Sequence, residues 1–156
     1  KTVLQDLQPL LKRGDTAEWL QRIEGFKKKW PLTFSRRGGL HPPQIIAELS
    51  KLTKGRAIVT TDVGQNQMWA WQFYQCDKPW RFISSGGAGT MGFGLPSAIG
   101  AQLGRPAELV VAIVGDGGFQ MTMSDLATLA THNLPVKIIL MNNHYLGMVR
   151  QWQDMF

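Results

Sequence analysis

Apolar positions along the chain fall into two regimes that meet near residue 40. Before it, Trp19, Ile23, Phe26 and Trp30 recur at helical spacing. Asp15, with Glu18 three places on, has the form of a capping box, and Pro31 stands where a helix would end. The pattern predicts helix over residues 1–30. Residues 31–41 carry Pro, Ser, Arg and a Gly-Gly pair, a linker composition. The first segment is too short to bury a core of its own.

From Pro42 onward, short apolar strands alternate with helices. Pro42-Pro43 opens a helix whose apolar face is Ile45, Ile46, Leu49 and Leu52, and Gly55 ends it. The strand signals are Arg56 to Thr61, Phe82 to Ser84, Leu109 to Val114 and Val136 to Met141. Helices are expected from Gln67 to Tyr74, Gly92 to Leu103, Thr122 to His132 and Leu146 to the end, with Thr122 and Asp125 as caps of the third. Strands apolar on both faces, alternating with helices, predict an α/β fold. Its core is a doubly wound parallel sheet with helices on both faces. In such a sheet, ligands bind beyond the carboxyl ends of the strands.

Composition narrows the class. The 156 residues carry a net charge of +6, with 44% hydrophobic and 18% charged side chains, a globular balance. The surplus is local. Residues 1–56 hold 12 basic and 5 acidic side chains, with Lys27-Lys28-Lys29 and Arg36-Arg37 prominent. Basic residues not interleaved with stacking aromatics read as a solvated helix face and linker, not a nucleic-acid platform. The longest apolar run, Leu109 to Val114, is far below the roughly 20 residues of a membrane helix. A single cysteine, Cys76, leaves no internal disulfide framework and fits a reducing compartment, cytoplasmic or organellar. Position 1 is Lys rather than Met, which suggests a piece of a longer protein.

Four loops follow the four strands. They are Asp62-Val63-Gly64-Gln65-Asn66, Ser85 to Met91, Gly115-Asp116-Gly117-Gly118 and Asn142 to Gly147. By the strand-end rule they share one rim. Asp116 is an acid among glycines, which permit close approach of a ligand to the backbone. The next helix after Gly118 would aim free N–H groups at the same spot, which suits phosphate. A carboxylate repels phosphate unless a cation lies between them. Mg²⁺ meets that need with oxygen ligands, and an Asn amide oxygen can be one of them. Gly-Asp-Gly alone also reads as a tight turn, and Asn-Asn as turn chemistry. Their order, each after a predicted strand, favours a Mg²⁺-diphosphate site.

Gly115-Asp116-Gly117, then 24 residues, then Asn142-Asn143 resembles the diphosphate signature of thiamine diphosphate (ThDP) enzymes. The surrounding runs narrow the resemblance. Asp62-Val63-Gly64-Gln65, Gln67-Met68-Trp69, Ser85-Gly86-Gly87, Gly89 to Pro96 and Gly147 to Gln153 look like the catalytic large subunit of acetolactate synthase. The likeness covers roughly residues 40–156. Residues 1–30 look like the tail of that family's middle domain, and 42–156 like its ThDP-binding domain, cut at the carboxyl end.

The resemblance implies specific roles. Asp116 and Asn143 would bind Mg²⁺ through side chains, and Tyr145 through its carbonyl. Val63, Gly64, Gln65, Asn66, Gly117 and Gly118 would line the diphosphate. Gly89 would face the aminopyrimidine, and Met91 would wedge between the cofactor's two rings. Gly147 and Met148 would complete the pocket, with Met148 and Trp152 bordering substrate. The activity implied is decarboxylation of pyruvate and transfer of the hydroxyethyl unit to pyruvate or 2-ketobutyrate, in branched-chain amino-acid biosynthesis. FAD, a homodimer or larger assembly and a regulatory small subunit would belong to the complete protein. The activating Glu would come from a domain absent here, so no catalytic residue is expected in this chain, and alone it would be inactive. The family usually has His at Asn66, Leu at Ala88, Ala at Trp71, and Ser or Ala at Gly118. Two alternatives remain: another ThDP carboligase or decarboxylase, such as glyoxylate carboligase or an FAD-free catabolic acetolactate synthase, or a non-catalytic module of this fold. A plain dinucleotide-binding domain is disfavoured, because no Gly-x-Gly-x-x-Gly follows the first strand.

Overall fold

A computed structural model of the chain describes residues 1–12, 14–35 and 37–156. Positions 13 and 36, which fall in the expected helix and linker, lie outside the described residues. The chain divides into two compact units, Lys1–Thr33 and Phe34–Phe156.

The first unit is not one helix. It holds α1 (Thr2–Leu7), a 3₁₀ turn (Gln8–Leu10) and α2 (Ala17–Lys29). Pro9 sits in the 3₁₀ turn, where its missing N–H is harmless, and Leu11 is already extended. The expected capping box does not form. Thr16 is the N-cap of α2, and Asp15 accepts the Ala17 N–H at 3.0 Å from one position further out. No residue of α1 or α2 is buried.

The second unit is built on four parallel strands. These are β1 (Ile58–Thr61), β2 (Phe82–Ser84), β3 (Val110–Gly115) and β4 (Lys137–Met141), in the order β2-β1-β3-β4. The register pairs Val59 with Phe82 and Val111, and Ile113 with Ile139. The strand order reverses between β1 and β3, so a crevice opens beyond their carboxyl ends. One face of the sheet buries Val59, Val111 and Ile113 against Ile46 of α3 (Pro42–Thr53) and Ala70 of α4 (Gln65–Phe73). The other buries Ile58, Val110, Ala112 and Val114 against Ala98 of α5 (Gly94–Gly104). Both central strands are therefore apolar on both sides. The edge strand β4 buries only Met141, because it has a neighbour on one side alone.

The helix expected from Thr122 starts six residues earlier. Its first part is α6 (Asp116–Thr122), followed by a 3₁₀ turn (Met123–Asp125) and α7 (Leu126–Thr131). Gly117 and Gly118, poor helix formers, hid its start from a reading by propensity. Thr122 does not cap it; its hydroxyl donates to the Gly92 carbonyl at 3.2 Å. The last helix is α8 (Gly147–Met155). No helix among the described residues is long and apolar enough to cross a membrane.

Candidate functional site

A cavity of about 220 Å³ lies at the carboxyl ends of the strands. All four expected loops reach it. The loop and helix start after β1 bring Val63, Gly64, Gln65 and Asn66; the loop after β2 brings Gly89 and Met91. The first turn of α6 brings Asp116, Gly117 and Gly118, and the segment after β4 brings Asn143, Tyr145, Gly147 and Met148. Trp152 is not among the lining residues. It is 61% exposed on α8 and stacks on Phe156, with ring centroids 5.1 Å apart.

The backbone explains how four loops come so close. Gly64, the N-cap of α4, has φ 123° and ψ −156°, a conformation that side chains exclude. Gly94, the first residue of α5, lies against the end of β1. A Cβ there would stand 2.8 Å from both the Asp62 nitrogen and Val114 Cγ1. Asp62 organises this close approach. Its carboxylate is 1% exposed and accepts three backbone N–H groups, from Val63 at 2.9 Å, Gly92 at 3.1 Å and Gly94 at 2.9 Å. Gly118 faces the same carboxylate, and a side chain there would need the carboxylate to move.

Asp116 is the only charged residue lining the cavity among the described residues, with no Lys, Arg or His beside it. Its carboxylate makes no hydrogen bond or ion pair among the described residues. No group of three or more His, Cys, Asp or Glu able to hold a metal occurs among them either. One carboxylate, one amide oxygen and a carbonyl are hard donors suited to Mg²⁺, but too few to hold it alone. An anion here would face an uncompensated negative charge. Cation and phosphate each need the other, so the donor set fits a Mg²⁺-diphosphate pair.

Two side chains behave in ways their positions did not announce. Asn66 is 6% exposed; its Nδ2 donates to the Val63 carbonyl at 3.2 Å, while its buried Oδ1 has no partner among the described residues. Gln65, a cavity-lining residue, holds its amide between Asn143 and Gln151. The sequence reading also missed Trp69, Met141, Leu146 and Val149, which line the cavity. Trp69 lies one turn beyond Gln65, so helical periodicity carried a signal for it; Val149, next to Met148 in sequence, carried none of that kind. For the structural role of Asp62 the only signal was an acid placed directly after a buried strand.

Comparison with known proteins agrees with this geometry. The model of the thiamine pyrophosphate enzyme family, C-terminal TPP binding domain, matches residues 62–156. Acetolactate synthase 2, chloroplastic, of Nicotiana tabacum is 52% identical over all of this chain and 24% of its own length. The acetolactate synthase isozyme 3 large subunit of Escherichia coli is 48% identical over 95% of the chain and 25% of its own length. The large subunit of Haemophilus influenzae is 45% identical over 99% and 28%. The chain therefore spans about a quarter of these relatives. It belongs to the thiamine pyrophosphate enzymes, in their C-terminal TPP-binding domain.

Proposed function

We propose that this member of the thiamine pyrophosphate enzymes is part of an acetolactate synthase large subunit, and that it holds ThDP by its diphosphate through Mg²⁺. The observation that carries the reading is one cavity lined from all four strand ends, with Asp116 as its only charged side chain among the described residues. Asp116 and Asn143 offer side-chain oxygens to the metal, and Tyr145 its carbonyl. Val63, Gly64, Asn66, Gly117 and Gly118 surround the diphosphate, with Gln65 supporting them. Gly89 and Met91 serve the ring end; methionine suits that place because it is apolar and adaptable. Met148 closes the pocket, and Trp152, outside the cavity, acts on the second keto acid.

When bound, ThDP supplies the carbanion chemistry, and the protein supplies binding and orientation. In the complete protein the reaction is decarboxylation of pyruvate and transfer of the hydroxyethyl unit to pyruvate or 2-ketobutyrate. FAD, a second copy of the subunit, an activating Glu from the partner and a regulatory small subunit belong to that assembly. Its home is an organelle in a plant, as the tobacco relative's name states for that protein, and the cytoplasm in a bacterium. The segment before residue 42 belongs to the preceding domain and its linker.

Calorimetric titration with ThDP tests the reading. Heat that requires Mg²⁺, disappears with EDTA and is lost in Asp116→Ala is the expected result. Equal heat in Asp116→Ala would overturn the assignment. Acetolactate formation from pyruvate by the chain alone would show that no partner domain is needed.

A further inference from the structure

The Asn143 amide can face the cavity in two orientations, and only one offers its oxygen in the place observed. The Tyr145 N–H donates to Asn143 Oδ1 at 3.1 Å. A backbone N–H can only donate, so this contact selects the oxygen end of the amide. Asn143 Nδ2 then donates to Gln65 Oε1 at 3.3 Å, and Gln65 Nε2 donates to Gln151 Oε1 at 3.1 Å. Each primary amide has one donor end and one acceptor end, so the direction set at Tyr145 runs through all three side chains. Reversing Asn143 would oppose two donors at Tyr145 and two acceptors at Gln65.

The relay joins elements remote in sequence. Gln65 opens α4 after β1, Asn143 follows β4, and Gln151 lies on α8. Gln65, Asn143, Tyr145 and Gly147 line both the cofactor cavity and a neighbouring groove bordered by Gln151. The amides thus form the wall between the two. Gly147 leaves room for them: a Cβ there would meet Gln65 Oε1 and would stand 2.8 Å from Asn143 Nδ2.

We infer that Gln65, held in turn by Gln151, is a positioning residue that keeps the Asn143 amide oxygen available to a divalent cation. The inference rests on the cofactor reading above. Gln65 acts through Asn143, as outer partners of metal ligands do when they fix a ligand's orientation. Its amide is engaged at both ends, with Asn143 and with Gln151.

Mn²⁺ is the probe, titrated into the chain with ThDP present and followed as the free ion by electron paramagnetic resonance. Gln65→Met keeps the side chain's length and removes both hydrogen bonds. Gln65→Glu keeps an acceptor facing Asn143. The expected result is Mn²⁺ binding weakened about tenfold in Gln65→Met, with an unchanged circular dichroism spectrum and melting temperature. Gln65→Glu restores binding to the wild-type value or tighter. Wild-type affinity in Gln65→Met overturns the proposal, and so does an equal loss in both variants, which would mean a steric role. Should Gln65→Met not fold, Gln151→Met at the far end decides: weaker Mn²⁺ binding supports the relay, and unchanged binding overturns it. Mn²⁺ binding equally tight in Asp116→Ala, by contrast, removes the cofactor reading itself.

Discussion

The Asp62 carboxylate accepts the backbone N–H of Gly94 at 2.9 Å across 32 residues of chain. It also takes the Gly92 N–H, so one buried side chain fixes the stretch around Met91 to the end of β1. Asp62→Ala leaves these N–H groups buried without partners. The expected loss is about 2–4 kcal/mol of stability, since each unsatisfied group costs roughly 1–3 kcal/mol. Asp62→Asn should lose less, because one oxygen still accepts. Urea unfolding measures both. A loss below about 1 kcal/mol in Asp62→Ala would show that the carboxylate does not carry the loop.

Gly147 gives an independent handle on the amide wall. A methyl group at 147 meets the ends of Gln65 and Asn143, which are flexible side chains rather than backbone. Gly147→Ala is therefore expected to cost little in unfolding free energy while reducing Mg²⁺ affinity about tenfold. Paired measurements of the urea midpoint and of Mg²⁺-dependent ThDP binding separate the two effects. A large fall in stability with intact metal binding would contradict the arrangement.

Asn66 should divide stability from binding in the opposite way to Asp62. Its Oδ1 is buried and has no partner among the described residues, so Asn66→Leu removes an unfavourable group along with the bond to Val63. The two effects offset, and stability is expected to change by less than about 1 kcal/mol. ThDP binding should weaken, because the amide borders the cavity. Calorimetry showing unchanged ThDP affinity would remove Asn66 from the diphosphate site.

Alkaline pH should act through Tyr74. Burial pushes its phenol above the ordinary value of 10.0, partly opposed by the hydrogen bond with Thr53. The folded state thus binds a proton that the unfolded state has lost once pH exceeds that value. Tyr74's contribution is complete below pH 10.0 and is lost as pH rises toward the folded value. Cys76 is also pushed up by burial, so a Cys76→Ser background isolates the phenol. In that background the urea midpoint should fall above pH 10, and Tyr74→Phe should flatten the fall. An equal fall in Tyr74→Phe would assign it to other groups.

Trp152 stacks on Phe156 outside the cavity. Trp152→Leu is accordingly expected to leave Mg²⁺ and ThDP affinity unchanged. Weakened cofactor binding in that variant, seen by calorimetry, would mean that α8 is held in place by this stack.

The alternation of strands and helices over residues 42–156, the parallel sheet and the rim where the loops gather were legible in the order of the residues. Those features are local: apolar strands such as Leu109 to Val114 announce burial on both faces, and glycines and acids cluster where strands end. The places of Asp116 and Asn143 on the cavity rim were legible because Asp116 directly follows β3 and Asn143 stands two residues beyond β4. The start of α6 was not, because Gly117 and Gly118 suppress helix propensity, and the space beside the Asp62 carboxylate that admits only a glycine at 118 exists only once the elements have packed. The direction of the Asn143 amide, the loop anchored by Asp62 and the position of Trp152 outside the cavity were decided only by tertiary structure. Each depends on contacts made when separate elements pack together, and no spacing along the chain records which side chains will then meet.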